Sequence, residues 1–316
     1  MAFLQYLDAK MEERGEIFMS KNKKSIFKGA ATALVTPFRN GEVDYITMGK
    51  LIDFQINGGI DALVICGTTG ESVTLSDEEY REVLAFSLEK ADGRVPMIAG
   101  TGSNNIACAV ERSKFASRLG YDALLCVTPY YNKATERGLI KSYTAIADAS
   151  EKPIILYNVP TRTCTNITLP VYRELSKHKN IVGVKEASGN ISTIARLICE
   201  CGEDFDIYSG NDDQTLPMLS LGGSGVISVV SNLIPGEMSE LCQAWFEGRT
   251  AAARELHEGY LKLMNLMFCE VNPIPLKAAL ALMEMCAEEF RLPLCSPEEA
   301  TREKLREELK KHRLIQ

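Results

Sequence analysis

A lysine ends an apolar run in the segment "NIVGVKEASGN", residues 180–190. The alternation of a strand puts Ile181, Gly183 and Lys185 on one face, and the glycine leaves space there. A lysine that is desolvated by apolar walls gives up its proton more readily and can form a Schiff base with a carbonyl substrate. The alternative is a lysine at a sheet end whose ammonium reaches solvent, and the pattern by itself leaves both open.

Groups that could assist such an amine follow other apolar runs. The sequence "GTTGES", residues 67–72, offers two hydroxyls and backbone N–H groups at a strand-to-helix turn, which suits a carboxylate. Tyr157 lies on a run that we expect beside that of Lys185, and its hydroxyl could move protons. Arg162 could bind a second carboxylate through two hydrogen bonds. The alternatives are a glycine-rich connection, a core tyrosine and a solvated arginine.

Composition disfavours metal and disulfide chemistry. The chain has three histidines, and its ten cysteines include no CxxC pair. We therefore predict no metal site, and cysteines that are reduced and buried. The carboxylates near the strand ends form no obvious acid–base pair; they are Glu71, Glu186, Asp212 and Asp213.

Eight short apolar runs would position these groups. They span residues 30–38, 61–67, 96–102, 123–131, 153–160, 181–188, 205–212 and 225–232. Helix-like segments lie between them, one with a capping box formed by Ser76 and Glu79 and another that ends at Gly120. Eight alternating units in about 200 residues predict a closed (β/α)8 TIM barrel, in which catalytic groups gather at the carboxyl ends of the strands. An open doubly wound sheet is the alternative, but no nucleotide-binding glycine motif follows a strand.

The barrel is predicted to occupy residues 25–248. Residues 249–316 carry no strand signals and are expected to form a C-terminal domain of three helices that packs on the barrel and contributes to a subunit contact. The second of these helices is predicted over residues 273–290. Residues 1–24 are predicted to be a leader outside the fold. We expect the natural start to be Met19, which would make residues 1–18 surplus.

Bulk properties exclude several classes of function. The formal charge of −7, without a cluster of Lys and Arg in the barrel region, argues against a nucleic-acid surface. No apolar run reaches the ~18 residues of a membrane span, and the N-terminus lacks the apolar core of a signal peptide. We therefore predict a soluble, cytoplasmic protein.

The chain resembles the dihydrodipicolinate synthase family of pyruvate-dependent class I aldolases, which includes N-acetylneuraminate lyase. The motifs that carry the resemblance occur in order from about residue 25 to the end and at the family's spacing. They are "TALVTPF", "GTTGES", "ADGRVPMIAGTGSN", "VTPYYNK", "ILYNVPTRT", "GVKEASGN", "GGSGVISV" and "NPIPLKAAL".

The resemblance implies roles for individual residues. Lys185 would form an imine with pyruvate, so no cofactor would be needed. The remaining positions are Tyr157, Thr68 and Tyr131 in a proton relay, Thr68 and Thr69 at the pyruvate carboxylate, Arg162 at the carboxylate of the aldehyde, and Gly210 and Ile227 as lining residues. In the family, the residue that matches Tyr131 is donated across a dimer interface, and the protein is commonly a homotetramer built of two tight dimers.

The reaction implied is the condensation of pyruvate with L-aspartate-4-semialdehyde in lysine and diaminopimelate biosynthesis. Two alternatives stay open. One is a sister aldolase acting on a sugar acid, such as a sialate or keto-deoxy-sugar lyase. The other is a catalytically silent sensor on the same barrel, because a fold does not fix a function. The paired tyrosines of "PYYN" and the arginine of "YNVPTRT" favour the dicarboxylic, lysine-pathway substrate over a sugar acid.

The resemblance also bears on feedback by lysine. In lysine-sensitive members, a pocket at the dimer interface holds the effector's ammonium with a glutamate and a histidine. The chain keeps Ser72, Asn104 and Tyr130 at the matching positions but has Cys108 in place of the glutamate, and Asp77 and Tyr80 in place of histidines. We therefore expect no physiological inhibition by L-lysine.

Overall fold

The computed structural model describes Lys23 and residues 25–202 and 204–316. The leader predicted over residues 1–24, with its expected start at Met19, lies outside the described residues except for Lys23. The Lys23 ammonium donates to the carbonyl of Ile181 at 2.9 Å and so joins the start of the described chain to the barrel.

Eight parallel strands form a closed barrel, as predicted from the eight apolar runs. The strands of the described chain are β1 (Gly29–Ala33), β2 (Phe38–Arg39), β3 (Glu42–Val43), β4 (Ala62–Ile65), β5 (Met97–Gly100), β6 (Ala123–Val127), β7 (Ile154–Asn158), β8 (Ile181–Glu186), β9 (Asp206–Ser209) and β10 (Gly225–Ser228). The barrel order is β1-β10-β9-β8-β7-β6-β5-β4, and β1 pairs with both β10 and β4. That second pairing closes the sheet and rules out the open doubly wound alternative.

Strands β2 and β3 form an antiparallel hairpin that the apolar runs did not predict. The turn between them is Asn40-Gly41, and both residues have positive φ, 55° and 85°. An Asn-Gly pair at positive φ is the usual two-residue hairpin connection, so the signal was present in the sequence.

Helices surround the barrel. They are α1 (Tyr45–Asn57), α2 (Asp77–Ala91), α3 (Ile106–Leu119), α4 (Glu136–Ala149), α5 (Pro160–Thr163), α6 (Leu169–Leu175), α7 (Ile191–Cys201), α8 (Thr215–Ser220), α9 (Pro235–Phe246), α10 (Thr250–Leu266), α11 (Ile274–Leu282) and α12 (Glu299–Lys311). Short 3₁₀ turns follow β9 at Asp212–Gln214 and β10 at Val230–Asn232.

Two helix starts confirm the capping signals. The side chain of Ser76 accepts from the backbone N–H of Glu79, and the side chain of Glu79 accepts in return from Ser76, which makes a complete capping box at α2. Helix α3 starts at the N-cap Asn105 and ends at Gly120 in the left-handed conformation.

The core has two parts, one inside the barrel and one between the barrel and the helices. The barrel interior is filled by small and branched side chains, among them Ala31, Val64, Ile98, Ile155 and Ile227. This packing makes the barrel a solid core, and the site must lie at one of its ends.

The face of Lys185 differs from the predicted alternation. Ile181 packs in the outer core and Val182 in the barrel interior, because the register between β7 and β8 shifts at Ile154 and Ile155. The prediction that Ile181 shares a face with Lys185 was therefore wrong. Gly183 also has a different structural role from the predicted one, which was to leave space on the face of Lys185. A Cβ at Gly183 would lie 2.4 Å from the backbone oxygen of Asp206, so the glycine permits close approach of β9.

The C-terminal region contains the three predicted helices, α10 to α12. The second is shorter than the predicted helix over residues 273–290, since it ends at Leu282 and Glu284 has a φ of 58°. The chain then returns to the barrel, where the carboxylate of Glu289 accepts from the backbone N–H of Asn40 at 2.9 Å. This tertiary contact overrides the local helix signal; the domain boundary at residue 249 stays a prediction.

All ten cysteines are free, as predicted. The prediction that they are buried holds for Cys66, Cys126 and Cys242 but was wrong for four exposed ones: Cys164, Cys199, Cys269 and Cys295. Within the described part of the chain, no helix is both long and apolar enough to cross a membrane.

Candidate active site

Lys185 and Tyr157 lie side by side at the carboxyl end of the barrel. They are paired in register on β8 and β7, and both side chains are nearly buried, at 4 % and 7 % exposure. The Lys185 ammonium lies 4.6 Å from the centre of the Tyr157 ring. The predicted neighbourhood of an amine and a phenol is thus present, in surroundings that hold little water.

Gly210 opens the space around the lysine. A Cβ there would lie 2.6 Å from Cβ of Ala187 and 3.2 Å from Cε of Lys185, and the Gly210 N–H donates to the carbonyl of Glu186 at 2.8 Å. Any side chain at Gly210 would therefore push the lysine or its strand aside. Ile227, predicted as a lining residue, is fully buried on β10 inside the barrel and is not among the residues that line the cavity.

The active-site cavity has two adjoining parts that share Tyr157 and Arg162 as walls. One part contains Lys185, Thr69 and Gly210, and the other contains Thr68. The structure therefore brings these predicted residues to one end of the barrel.

Thr68 and Thr69 stand on a tight turn after β4. The backbone N–H of Gly70 donates to Gly67 at 3.2 Å, and that of Glu71 donates to Thr68 at 3.1 Å. Thr69 is buried, and its hydroxyl accepts from the side-chain amide of Asn272 at 3.0 Å. The turn thus presents one half-buried and one buried hydroxyl toward the cavity.

Arg162 lies on α5 at the mouth of the cavity and is exposed. Its guanidinium donates one hydrogen bond, to the backbone carbonyl of Asn272 at 3.0 Å. Five N–H donors belong to a guanidinium, so most of its donors stay available for an anion. This position suits an arginine that binds the carboxylate of a substrate at the entrance of the cavity.

Tyr131 is, with Ile227, a predicted site residue that the single chain does not bring into the cavity. Its side chain is 92 % exposed, and its φ of 70° lies in the left-handed region that side chains avoid. The preceding Tyr130 lines the cavity beside Thr68. An exposed tyrosine held in a strained backbone next to the site mouth points away from its own barrel.

The buried carboxylate of Glu186, directly after Lys185, accepts hydrogen bonds from several neighbouring groups. The Glu186 carboxylate accepts from the Asn158 amide at 3.0 Å, from the Tyr172 hydroxyl at 2.6 Å and from the Ser188 N–H at 2.8 Å. These bonds hold β8 at its end, so Glu186 supports the strand of Lys185 instead of acting as an acid or base.

A second buried carboxylate lies on the 3₁₀ turn after β9. Asp212 accepts from the backbone N–H groups of Val229 at 3.1 Å and Val230 at 2.9 Å. Burial raises the pKa of this carboxyl, while these hydrogen bonds and the charge of Lys185 lower it in part. Asp212 thus fixes the segment after β10 that closes the cavity beside Lys185.

The sequence reasoning missed Asn272 and Lys277. Both lie in the segment "NPIPLKAAL", which contributed to the resemblance without a role for any residue. The Asn272 amide reaches Thr69, its backbone carbonyl reaches Arg162, and its buried Oδ1 has no partner among the described residues. The available signal was two polar residues around a pair of prolines, which is too common to single them out.

Among the described residues, no group of three or more His, Cys, Asp or Glu side chains could hold a metal ion. The cavity lining carries the positive charges of Lys185, Arg162 and Arg112 and the carboxylate of Glu270, and the carboxyl group of Asp212 is buried near Lys185. The cavity is therefore suited to an anionic, carbonyl-containing ligand that meets an amine at its inner end.

Comparisons with known proteins agree with this geometry. The model of the dihydrodipicolinate synthetase family matches residues 26–312. A 4-hydroxy-tetrahydrodipicolinate synthase from Geobacter sulfurreducens is 48 % identical over 290 residues, which cover 92 % of this chain and 100 % of the relative.

Solved structures are similar as well. The crystal structure of dihydrodipicolinate synthase from Aquifex aeolicus has a TM-score of 0.89 and 45 % identity, covering 91 % of this chain and 99 % of that one. The chloride-inhibited dihydrodipicolinate synthase from Acinetobacter baumannii, complexed with pyruvate, has a TM-score of 0.90 and 41 % identity, covering 92 % and 100 %. With the barrel, the buried lysine and the sequence match in agreement, this chain belongs to the dihydrodipicolinate synthetase family.

Proposed function

We propose that the protein condenses pyruvate with L-aspartate-4-semialdehyde to form 4-hydroxy-tetrahydrodipicolinate, a step of lysine and diaminopimelate biosynthesis that takes place in the cytoplasm. The observation that carries the proposal is the nearly buried Lys185 beside Tyr157, in a chain 48 % identical to a synthase of that name. The chemistry needs only the two substrates and side chains of the protein.

The first step joins pyruvate to Lys185. The neutral amine attacks the ketone carbon, and loss of water leaves an imine. The pyruvate carboxylate binds the hydroxyls of Thr68 and Thr69 and the backbone N–H groups of these two residues, which places the ketone toward the amine.

Proton transfer then converts the imine into an enamine. Tyr157 lies beside the new carbon–nitrogen bond, since the centre of its ring is 4.6 Å from the Lys185 ammonium. We assign it the transfer of protons to and from the pyruvate carbons and oxygen, in relay with Thr68 and with Tyr131 of a second subunit.

The enamine carbon attacks the aldehyde of the second substrate, whose carboxylate binds Arg162 at the cavity mouth. The amine of that substrate then displaces Lys185 from the imine and closes the ring, so the enzyme is released without hydrolysis of the bond to lysine. Arg162 selects against neutral aldehydes, because a guanidinium pairs with a carboxylate in a fixed geometry.

An activity assay tests this function against its alternatives. Purified protein with pyruvate and aspartate semialdehyde should form the ring product, while N-acetylneuraminate in a parallel assay should not be cleaved. Cleavage of the sugar acid without condensation would identify a sister aldolase. If neither reaction occurs although the protein is folded, the silent sensor becomes the better account.

Tyr131→Phe is expected to lower turnover by about 10²-fold if this tyrosine donates its hydroxyl to a neighbouring subunit. The high exposure of the side chain and its strained backbone support a role outside its own barrel. Steady-state kinetics of the variant measure the loss, and Tyr45→Phe, which also removes a surface hydroxyl, is the matched control.

Co-expression of two variants tests whether Tyr131 acts in its own subunit or in the neighbouring one. A dimer with Tyr131→Phe in one subunit and Lys185→Arg in the other keeps one complete site if the tyrosine acts across the interface, and none if it acts within its own chain. We therefore expect mixed dimers to recover activity that neither parent has. Without recovery, the cross-dimer relay and the proposed assembly as two tight dimers lose their support.

L-lysine at about 1 mM or below is expected to leave the condensation rate unchanged. Asp77 is paired with Arg112 at 3.4 Å, and the guanidinium of Arg112 lies 4.4 Å from the ring of Tyr80. Arg112 lines the same cavity part as Ser72, so a cation stands where an ammonium would have to bind. Loss of a buried carboxylate partner alone should cost about 2–5 kcal/mol.

Titration of L-lysine into the coupled assay measures this directly. Arg112→Leu is an informative companion variant, because it removes the cation without restoring a carboxylate. Half-inhibition of the native protein below a millimolar would contradict our account of the pocket.

A further inference from the structure

A second buried lysine lies behind the turn that carries the threonines. Lys277, on α11, is fully buried, and its Nζ lies 2.5 Å from Oε1 of Glu71, whose side chain is 1 % exposed. The rings of Phe38 and Phe290 cover the ammonium, with centroids at 4.2 Å and 5.3 Å. The ion pair is therefore shielded from water by aromatic side chains.

Glu71 is part of the threonine turn itself. Its backbone N–H donates to the carbonyl of Thr68 at 3.1 Å, and its carbonyl accepts from the N–H of Thr74 at 3.0 Å. Its φ of 51° lies in the left-handed region, which a residue with a side chain keeps only when its surroundings fix it. The surroundings here are Lys277 and the backbone N–H of Arg291, which donates to Oε2 at 3.3 Å.

Stability alone is a poor reason for this arrangement. Two charges taken out of water lose hydration that their attraction only partly returns, and apolar side chains of similar shape often stabilise a fold as well or better. Burial lowers the pKa of Lys277, and the carboxylate of Glu71 raises it in opposition. What an ion pair adds over apolar packing is a fixed distance and direction between two segments.

We propose that Lys277 is a positioning residue: through Glu71 it holds Thr68 and Thr69 in the conformation that binds the carboxylate of pyruvate. The inference rests on the proposed function, which makes that carboxylate the ligand of the turn. Lys277 is not among the residues that line the active-site cavity, so it acts on the substrate only through the turn. The C-terminal helices thereby take part in substrate binding.

The test compares Lys277→Met with the double variant Lys277→Met/Glu71→Gln. Lys262→Met is the matched control, since Lys262 lies on α10 in the same region and pairs with Glu308 at 2.7 Å, far more exposed than Lys277. For each protein we would measure the pyruvate concentration that gives half-maximal borohydride trapping on Lys185, the KM for both substrates, and the melting temperature.

Lys277→Met should raise the half-saturating pyruvate concentration by about tenfold, because a displaced turn misplaces two ligand groups at once. The double variant, which leaves no orphan charge, should fold well and still bind pyruvate more weakly than the native protein. KM for the semialdehyde should change by less than about twofold, since Arg162 does not belong to the turn. The control should match the native protein in all three measurements.

If the Lys277–Glu71 pair only stabilises the fold, the measurements give a different result. The proposal is overturned if the variants melt at lower temperature but trap pyruvate with unchanged half-saturation. If Lys277→Met does not fold, the half-saturating pyruvate concentration and the melting temperature of the double variant are compared in the same way. If the native protein forms no adduct with pyruvate, the proposed function fails and this inference fails with it. If the native protein forms the adduct and the variants have the same half-saturating pyruvate concentration, only the positioning role of Lys277 is lost.

Discussion

Replacing Lys185 with arginine is expected to abolish both the condensation and the covalent trapping of pyruvate by borohydride. The guanidinium keeps its proton under all conditions in which the protein is folded, so it cannot attack a ketone. The native protein should gain one reduced pyruvate adduct per chain, and peptide mapping should place it on Lys185. Mass spectrometry of the intact protein and of its peptides measures both results.

Two companion variants make the result specific. Lys185→Met removes the amine without adding length, which matters because Cε of Lys185 lies close to the backbone of Gly210, where even an added Cβ would be 3.2 Å away. Lys114→Arg changes a surface lysine that pairs with Glu111 and should trap pyruvate as the native protein does. An adduct on a different lysine, or trapping that survives in Lys185→Met, would end the imine mechanism proposed for this site.

Tyr157→Phe should lower turnover by about 10²–10³-fold while the protein stays folded, a loss typical of removing one acid–base group. The phenyl ring can still occupy the space beside the Lys185 ammonium, so the packing at the end of β7 is kept. Because the imine forms before the relay acts on carbon, borohydride trapping should persist at a reduced rate. Steady-state and single-turnover kinetics separate the two effects.

Tyr143→Phe is the matched control for this loss. Tyr143 is also a buried tyrosine, on α4, and its hydroxyl donates to the carbonyl of Cys126 at 3.3 Å, in the core outside the barrel. We expect its turnover within about twofold of the native value, since the variant removes the same atom from outside the cavity. A Tyr157→Phe enzyme that kept most of its activity would show that another group moves the protons.

The barrel and the positions of Lys185 and Tyr157 on it were predictable because they depend on local order in the chain. Eight apolar runs separated by capped helical segments allow little besides a closed barrel, and a strand end on such a barrel faces the site. Their places on consecutive strands were enough to predict that Lys185 and Tyr157 lie side by side. That information lies within a few residues of each position, where strand and helix periodicity are expressed.

Only the tertiary structure decided what joins distant parts of the chain. The Lys277–Glu71 pair spans 206 positions and the Asn272–Thr69 hydrogen bond spans 203, and no periodicity links residues so far apart. The register shift between β7 and β8 likewise reversed the predicted face of Ile181, because pairing with a neighbour, not local alternation, sets which side a residue faces. The sequence by itself thus determined the barrel and the place of Lys185 at the end of one of its strands, while long-range packing determined how the threonine turn is held beside it.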